Sequence, residues 1–220
     1  GLKVFAHKGL KEIVDLQLKV TGGKLNFPIH FIELKRNQEG IVFDDGNVEV
    51  LTFPLNHGIS CSGFLIKEKE KLRKLIKNEL DRLNISISDY KKLQQGEDVI
   101  SLTGQLVKNK EVTLDPSRQR TYAYCSDTAY SDGIIAYIKG IDLLYHEATF
   151  ADDMQDRARK TKHSTGRQAA TIAFKAGVKK LIIGHFSVRY DNPNIILEEA
   201  KEIFKNTEVA QESDTFVLNY

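Results

Sequence analysis

From Thr121 onward the chain alternates short apolar runs with helical patterns, and a residue able to do chemistry follows each main run. Thr121-Tyr-Ala-Tyr-Cys125 reads as a strand, Ile134 to Ile138 as a short helix and Asp142-Leu-Leu-Tyr145 as a buried strand. Thr165 to Ala176 has the period of a helix with Ala169, Ile172, Ala173 and Ala176 inward. Thr165 and Gln168 have the spacing of a capping box, and Gly177 is the expected stop. Val178 to Gly184 predicts the next strand, Asn194 to Phe204 a helix, and two short strands close the chain. Such alternation, with both faces of the sheet covered, predicts a layered α/β fold.

The first third is consistent with this. Leu2 to Phe5 is a short strand, followed by a helix that carries Leu10, Ile13 and Val14 on one face and ends at Gly22-Gly23. Ile29 to Leu34 alternates as a strand does. Ile41-Val-Phe43 and Val48 to Phe53 flank the turn Asp44-Asp-Gly-Asn47, a hairpin, and Cys61 to Ile66 is a further strand. Then the character changes. Leu72, Leu75, Ile76, Leu80 and Leu83 fall on one helical face between Lys67 and Leu83, while seven Lys/Arg against four Asp/Glu occupy the rest up to Arg82. Residues 84–120 are polar, with breaks at Gly96 and Gly104. The stretch 67–120 reads as an insert whose apolar stripe is too narrow for a domain core of its own, and 1–66 with 121–220 as the main domain.

Composition narrows the function. With 41% hydrophobic residues in 220, the chain can bury a sizeable core, and a net charge of +2 excludes a strongly basic nucleic-acid arm but not a local basic patch. No apolar run approaches the roughly 18 residues of a membrane span, and the opening Gly1-Leu-Lys-Val lacks a signal-peptide core, so the expected place is the cytoplasm. Two cysteines, Cys61 and Cys125, with no Cys-x-x-Cys pair fit a reducing compartment and read as small buried side chains.

Several polar side chains share one address, the C-terminal end of a strand: His57 after Phe53, Asp127 after Cys125, His146 and Glu147 after Tyr145, and His185 after Gly184. Ligands gather at that edge of layered α/β sheets because loops there present side chains without breaking the sheet. Imidazole and carboxylate suit zinc or manganese, and a carboxylate can bridge two ions. Each residue also has an ordinary use, Asp127 as a cap, Glu147 as an ion-pair partner, His163 as an exposed residue before a helix. Three ligands on three different strand ends are harder to explain by caps. His7 and His30 have no such support and read as surface residues. Arg157, Arg159, Lys160, Lys162 and Arg167 put five basic groups in eleven residues around His163, and Lys67, Lys69, Lys71, Arg73, Lys74 and Lys77 line the insert; both stretches could contact phosphates.

The runs Leu144-Tyr-His-Glu-Ala-Thr-Phe150, Lys162-His-Ser-Thr165 and Leu181-Ile-Ile-Gly-His-Phe-Ser-Val-Arg-Tyr190 resemble ribonuclease Z, the metallo-β-lactamase-fold endonuclease that matures tRNA 3′ ends. Leu55-Asn-His-Gly58 and Ser126-Asp-Thr128 fall in the family's order before them, and Val4 to Leu10 is similar to its central strand and helix. The resemblance implies a metallo-β-lactamase-like αββα sandwich with an inserted arm at 67–120 that grips the tRNA elbow. It implies two zinc ions per intact subunit, or manganese, with His57 on the first, Asp127 bridging and His185 on the second. His163, steadied by Glu147, would protonate the leaving oxygen. The partners implied are precursor tRNA and a second copy, as a homodimer, with a 3′-hydroxyl left on the tRNA. The family's His-x-His-x-Asp-His motif is absent from these residues and is expected upstream of Leu2, so the chain as it stands is expected to be inactive; Asn84-Ile-Ser-Ile-Ser88 replaces the arm's Gly-Pro-rich segment. Other readings are another phosphodiesterase or hydrolase of that fold, and a non-catalytic RNA-binding fragment.

Overall fold

The computed structural model describes residues 1–218. It divides into two compact units, one of residues 1–67 with those from 120 on, the other of residues 68–119. The first begins with β1 (Leu2–His7), α1 (Leu10–Thr21) and β2 (Ile29–Leu34), in which β1 and β2 pair in parallel as a two-stranded sheet. The hairpin β3 (Gly40–Asp44) and β4 (Val48–Pro54) and the strand β5 (Ser62–Glu68) follow. No residue of α1 is buried; Ile13, Leu16 and Val20 are exposed. His7 is not the surface residue that its isolation in sequence suggested. Its ring is half-buried, with Nδ1 donating to the Leu34 carbonyl at 3.1 Å and Nε2 accepting from Ser62 Oγ at 3.0 Å. His30 is exposed.

The insert departs most from the sequence reading. In place of one helix across 67–83 it holds β6 (Lys74–Leu75), α2 (Lys77–Arg82), α3 (Tyr90–Gln94), β7 (Val99–Ile100), β8 (Leu106–Val107), α4 (Asn109–Val112) and β9 (Thr113–Leu114). Lys74 and Leu75 pair with Leu114 and Thr113, and the Arg73 N–H donates to the Gln94 carbonyl at 3.0 Å, so the chain is extended where the leucine spacing suggested a helix. The unit also has a core after all, built from short pieces: Leu80, Ile85, Leu93, Val99, Val107 and Val112.

The chain then enters the main sheet through β10 (Thr121–Cys125), β11 (Leu143–Glu147), α5 (Gln155–Thr161), α6 (Gly166–Ala176), β12 (Lys180–Gly184), α7 (Asn194–Ile203) and β13 (Thr207–Val209). The sheet order is β13-β12-β11-β10-β5-β4-β3, parallel from β13 to β10 and antiparallel from there through β5. The expected helix at 134–138 is a 3-10 turn, Asp132–Ile134, and one closing strand stands among the described residues where two were expected. The α6 ends match the sequence reading: Thr165 and Gln168 form the reciprocal capping box, and Gly177 ends the helix in the left-handed region. The core lies between the sheet and α6 and α7, with Phe53, Ala123, Cys125, Leu144, Leu181 and Ile183 against Ile172 and Ile196. A Cβ on Gly166 would meet the Ile196 carbonyl oxygen at 2.6 Å, so close helix packing requires glycine there. The opposite face is only partly covered: Tyr124 and Tyr145 stack at 4.7 Å, and Phe216 and Leu218 line an open groove of about 350 Å³ with Tyr122, Leu143, Tyr145 and Ile182. No described helix is long and apolar enough to cross a membrane.

Strand β11 runs two residues further than expected, so His146 and Glu147 are strand residues on opposite faces. His146 turns into the core. It is fully buried, its Nδ1 donates to the Glu147 carbonyl at 2.7 Å, and Nε2 has no hydrogen-bond partner among the described residues. Burial pushes its pKa below the ordinary imidazole value. Below about pH 6.5 the unfolded chain therefore takes up a proton that the folded state refuses, and stability falls by up to about 1.4 kcal/mol per pH unit until the folded value is reached. Urea unfolding at pH 7.5, 6.5 and 5.5 measures this, and His146→Gln is expected to flatten the slope.

Candidate metal centre

Asp127, Glu147, His163 and His185 converge: one ligand atom from each lies within 4.8 Å of all the others. The backbone explains how. Asp127 and His185 both follow strand ends and both hold left-handed backbone, φ 58° and 62°, a conformation uncommon outside glycine that turns the chain sharply off the sheet edge. Gly184 precedes His185 because Tyr145 lies against it; a Cβ there would meet the phenol oxygen at 2.5 Å. The loop of His57 is stitched to that of Asp127: Asn56 N–H donates to Thr128 Oγ1 at 3.2 Å, and Ala129 N–H to the Asn56 carbonyl at 2.9 Å. His163 follows the left-handed cap of α5 at Lys162.

Glu147 is the hub. It is fully buried, and its carboxylate accepts four hydrogen bonds. Thr128 N–H at 2.6 Å and His163 Nδ1–H at 2.7 Å reach Oε1; Thr149 Oγ1–H at 2.6 Å and Ser164 N–H at 3.0 Å reach Oε2. With its lone pairs so engaged, Glu147 is suited to orienting its neighbours rather than to holding an ion. His163 is left with Nε2 as its free ring nitrogen. His57 stands beside it, ring centroids 5.1 Å apart, outside the four-residue group. Its Nδ1 donates to the Lys162 carbonyl at 3.0 Å, which likewise leaves Nε2 free. His185 also stacks on His163, with ring centroids 5.3 Å apart.

The donor set fits a divalent ion. His185 Nε2 and Asp127 Oδ1 are 3.2 Å apart and both half-exposed. Two ligands of one tetrahedral zinc, each roughly 2.0–2.1 Å from it, are separated by about 3.3 Å. Imidazole nitrogen plus carboxylate oxygen is zinc and manganese chemistry.

No family model matches the chain. It is 43% identical over 219 residues to the ribonuclease Z of Cytophaga hutchinsonii, covering 99% of this chain and 70% of that protein. With the ribonuclease Z of Bacteroides thetaiotaomicron it shares 39% over 218 residues, covering 99% and 69%. The chain belongs to the ribonuclease Z family. Its fold aligns with the short form of human tRNase Z at a TM-score of 0.62 and 20% identity, covering 99% of this chain and 68% of that one. The metallo-β-lactamase fold protein YhfI of Bacillus subtilis aligns at 0.58 and 16% identity, covering 96% and 62%. The fold is that of the metallo-β-lactamases, as the sequence resemblance implied.

In this ribonuclease Z family member the basic side chains are unequally available. Lys67 lies 3.5 Å from Glu49, Lys71 3.5 Å from Glu68 and Arg73 2.5 Å from Asp115, and Lys69 is also engaged. Arg159 pairs with Asp156, and Arg167 with Glu202 and Asp152. Lys162 Nζ donates to the His57 carbonyl at 3.2 Å. Lys74, Lys77, Arg157 and Lys160 form no ion pair among the described residues. Cys61 is half-buried, its Sγ donating to the Ser126 carbonyl at 3.3 Å; burial, then the Asp127 charge, push its thiol pKa up. Cys125 is fully buried and burial raises its thiol further, so neither thiol is primed to react. Sequence reasoning missed Thr128, Thr149 and Ser164 as partners of Glu147, although all three lie inside segments that carry the family resemblance.

Proposed function

We propose that the chain is the greater part of a metal-dependent endoribonuclease that removes the 3′ trailer from precursor tRNA and leaves a 3′-hydroxyl on the tRNA. The observation that carries this is His163, held through Nδ1 by the buried Glu147 beside the Asp127–His185 pair, in a chain of the ribonuclease Z family. His57, Asp127 and His185 would hold zinc or manganese. Bound divalent cations supply Lewis acidity toward a phosphoryl oxygen and acidify water near neutrality. A two-ion site calls for more donors than these three residues offer. His163 Nε2 faces away from Glu147 and can carry a proton to the departing oxygen, as general acids do at fixed geometry. Glu147 keeps Nδ1 protonated throughout, so the exchangeable proton is on Nε2. Arg157 and Lys160, which form no ion pair among the described residues, would meet phosphates near His163, and Lys74 and Lys77 would meet those of the tRNA body. The enzyme would act in the cytoplasm as a homodimer.

The test is cleavage of a 3′-extended precursor tRNA by the protein carrying this chain, with zinc or manganese, against hydrolysis of a small phosphodiester. Lys67 and Thr121 are paired residues of antiparallel β5 and β10, so a short turn can replace residues 68–119 without opening the sheet. That deletion is expected to weaken tRNA binding by at least tenfold and leave small-substrate hydrolysis within twofold. Unchanged tRNA binding after deletion would instead favour a phosphodiesterase of the same fold acting on another substrate.

A further inference from the structure

We propose that Thr149 is a positioning residue that links Glu147 to His185 and fixes which nitrogen of His185 is bare. The linkage follows from proton counting. Thr149 Oγ1 is buried, 2.6 Å from Glu147 Oε2 and 2.9 Å from His185 Nδ1. A carboxylate can only accept, and the hydroxyl has a single proton, so that proton lies toward Glu147. The hydroxyl oxygen is then the acceptor of the second bond, and His185 Nδ1 must be the donor. In the neutral ring, the form present at pH 8, Nε2 then carries the lone pair, which faces Asp127 Oδ1 at 3.2 Å. Two electron-rich atoms at that distance leave a place for a cation between them, not a hydrogen bond.

One buried carboxylate thus sets both imidazoles. It holds His163 directly through Oε1 and His185 through the Thr149 hydroxyl on Oε2. Ser164 N–H on Oε2 and Thr128 N–H on Oε1 keep the carboxylate from rotating, so neither ring can change its tautomer without breaking a buried bond. Thr149 touches neither substrate nor reacting atom; it acts through His185.

The inference rests on the reading of His185 as a cation ligand only for its consequence; the tautomer itself can be read without metal or RNA. Long-range proton–nitrogen NMR on the metal-free chain at pH 8 is expected to show His185 with its proton on Nδ1. A proton on Nε2 in the unmodified chain overturns the proposal whatever any variant does. Thr149→Val removes the acceptor and is expected to move His185 to the Nε2–H form or a mixture, whereas Thr149→Ser keeps the Nδ1–H form. Zinc affinity, read by competition with a chromogenic chelator, is expected to fall about 10- to 100-fold in Thr149→Val and to stay within threefold in Thr149→Ser. If the tautomer is as stated but, in the protein carrying this chain, a His185→Ala change leaves zinc affinity unchanged, the ligand reading fails and the Thr149 linkage stands. An unchanged tautomer in a folded Thr149→Val protein overturns the linkage.

Discussion

Replacing Asp127 by asparagine is expected to remove cation binding at the Asp127–His185 pair and to lower precursor-tRNA cleavage roughly 1,000-fold, with little change in stability. The two halves of that expectation have different causes. The side chain is half-exposed, and its closest polar partner is His185 Nε2 at 3.2 Å, so neutralising it leaves no buried group unpaired. Its backbone φ of 58° is left-handed, which asparagine tolerates as well as aspartate does, while alanine adds strain of about 1 kcal/mol. Asparagine therefore separates chemistry from folding, and Asp127→Ala is the harsher companion. Loss of Lewis-acid stabilisation is worth several kcal/mol of barrier, and each 1.36 kcal/mol is tenfold in rate. Chelator competition and single-turnover cleavage measure the effect, with urea unfolding as the control. Full cleavage by either variant would remove Asp127 from the proposed reaction.

What was legible in the sequence was what is decided locally. The capping box of Thr165 and Gln168 and the stop at Gly177 involve residues within one turn, so spacing alone specifies them. Asp127 and His185 stood out because chemistry-bearing residues at strand ends mark the sheet edge where such loops gather, whereas His163 stood out only through the family resemblance. Lys67 to Leu83 was misread because a leucine period cannot reveal that Lys74 and Leu75 pair with residues some forty positions later. His7 was misread for the same reason, its partners being Leu34 and Ser62. Thr149 escaped notice because its role depends on where a single hydroxyl proton points, and that is fixed by Glu147 and His185 together. Long-range pairing and proton direction are properties of the folded molecule, and no window of sequence contains them.

Glu147→Ala is expected to be the most destabilising change at the site, about 3–5 kcal/mol, the range for leaving a buried charged network without its partner. The substitution removes the acceptor of Thr128 N–H, Ser164 N–H, Thr149 Oγ1–H and His163 Nδ1–H together, in a position with no exposure to water. Each buried donor left unsatisfied costs about 1–3 kcal/mol, less whatever water enters the space. Domains of this size have about 5–15 kcal/mol in total, so a large share of the fold's margin depends on one side chain. The melting temperature should fall by roughly 10 °C, at about 2–4 °C per kcal/mol. Glu147→Gln keeps the volume and one acceptor oxygen but turns an amide N–H toward at least one of the four donors, so a smaller loss, about 2 kcal/mol, is expected with cleavage still impaired through His163 and His185. Urea denaturation of both variants at pH 7.5, where His146 is neutral in the folded and largely neutral in the unfolded state, isolates the hub from the proton uptake at low pH. A Glu147→Ala protein as stable as the parent to within about 0.5 kcal/mol, the usual scatter of surface substitutions, would mean that water replaces the carboxylate at all four donors, and the orientation of both imidazoles would then need another cause.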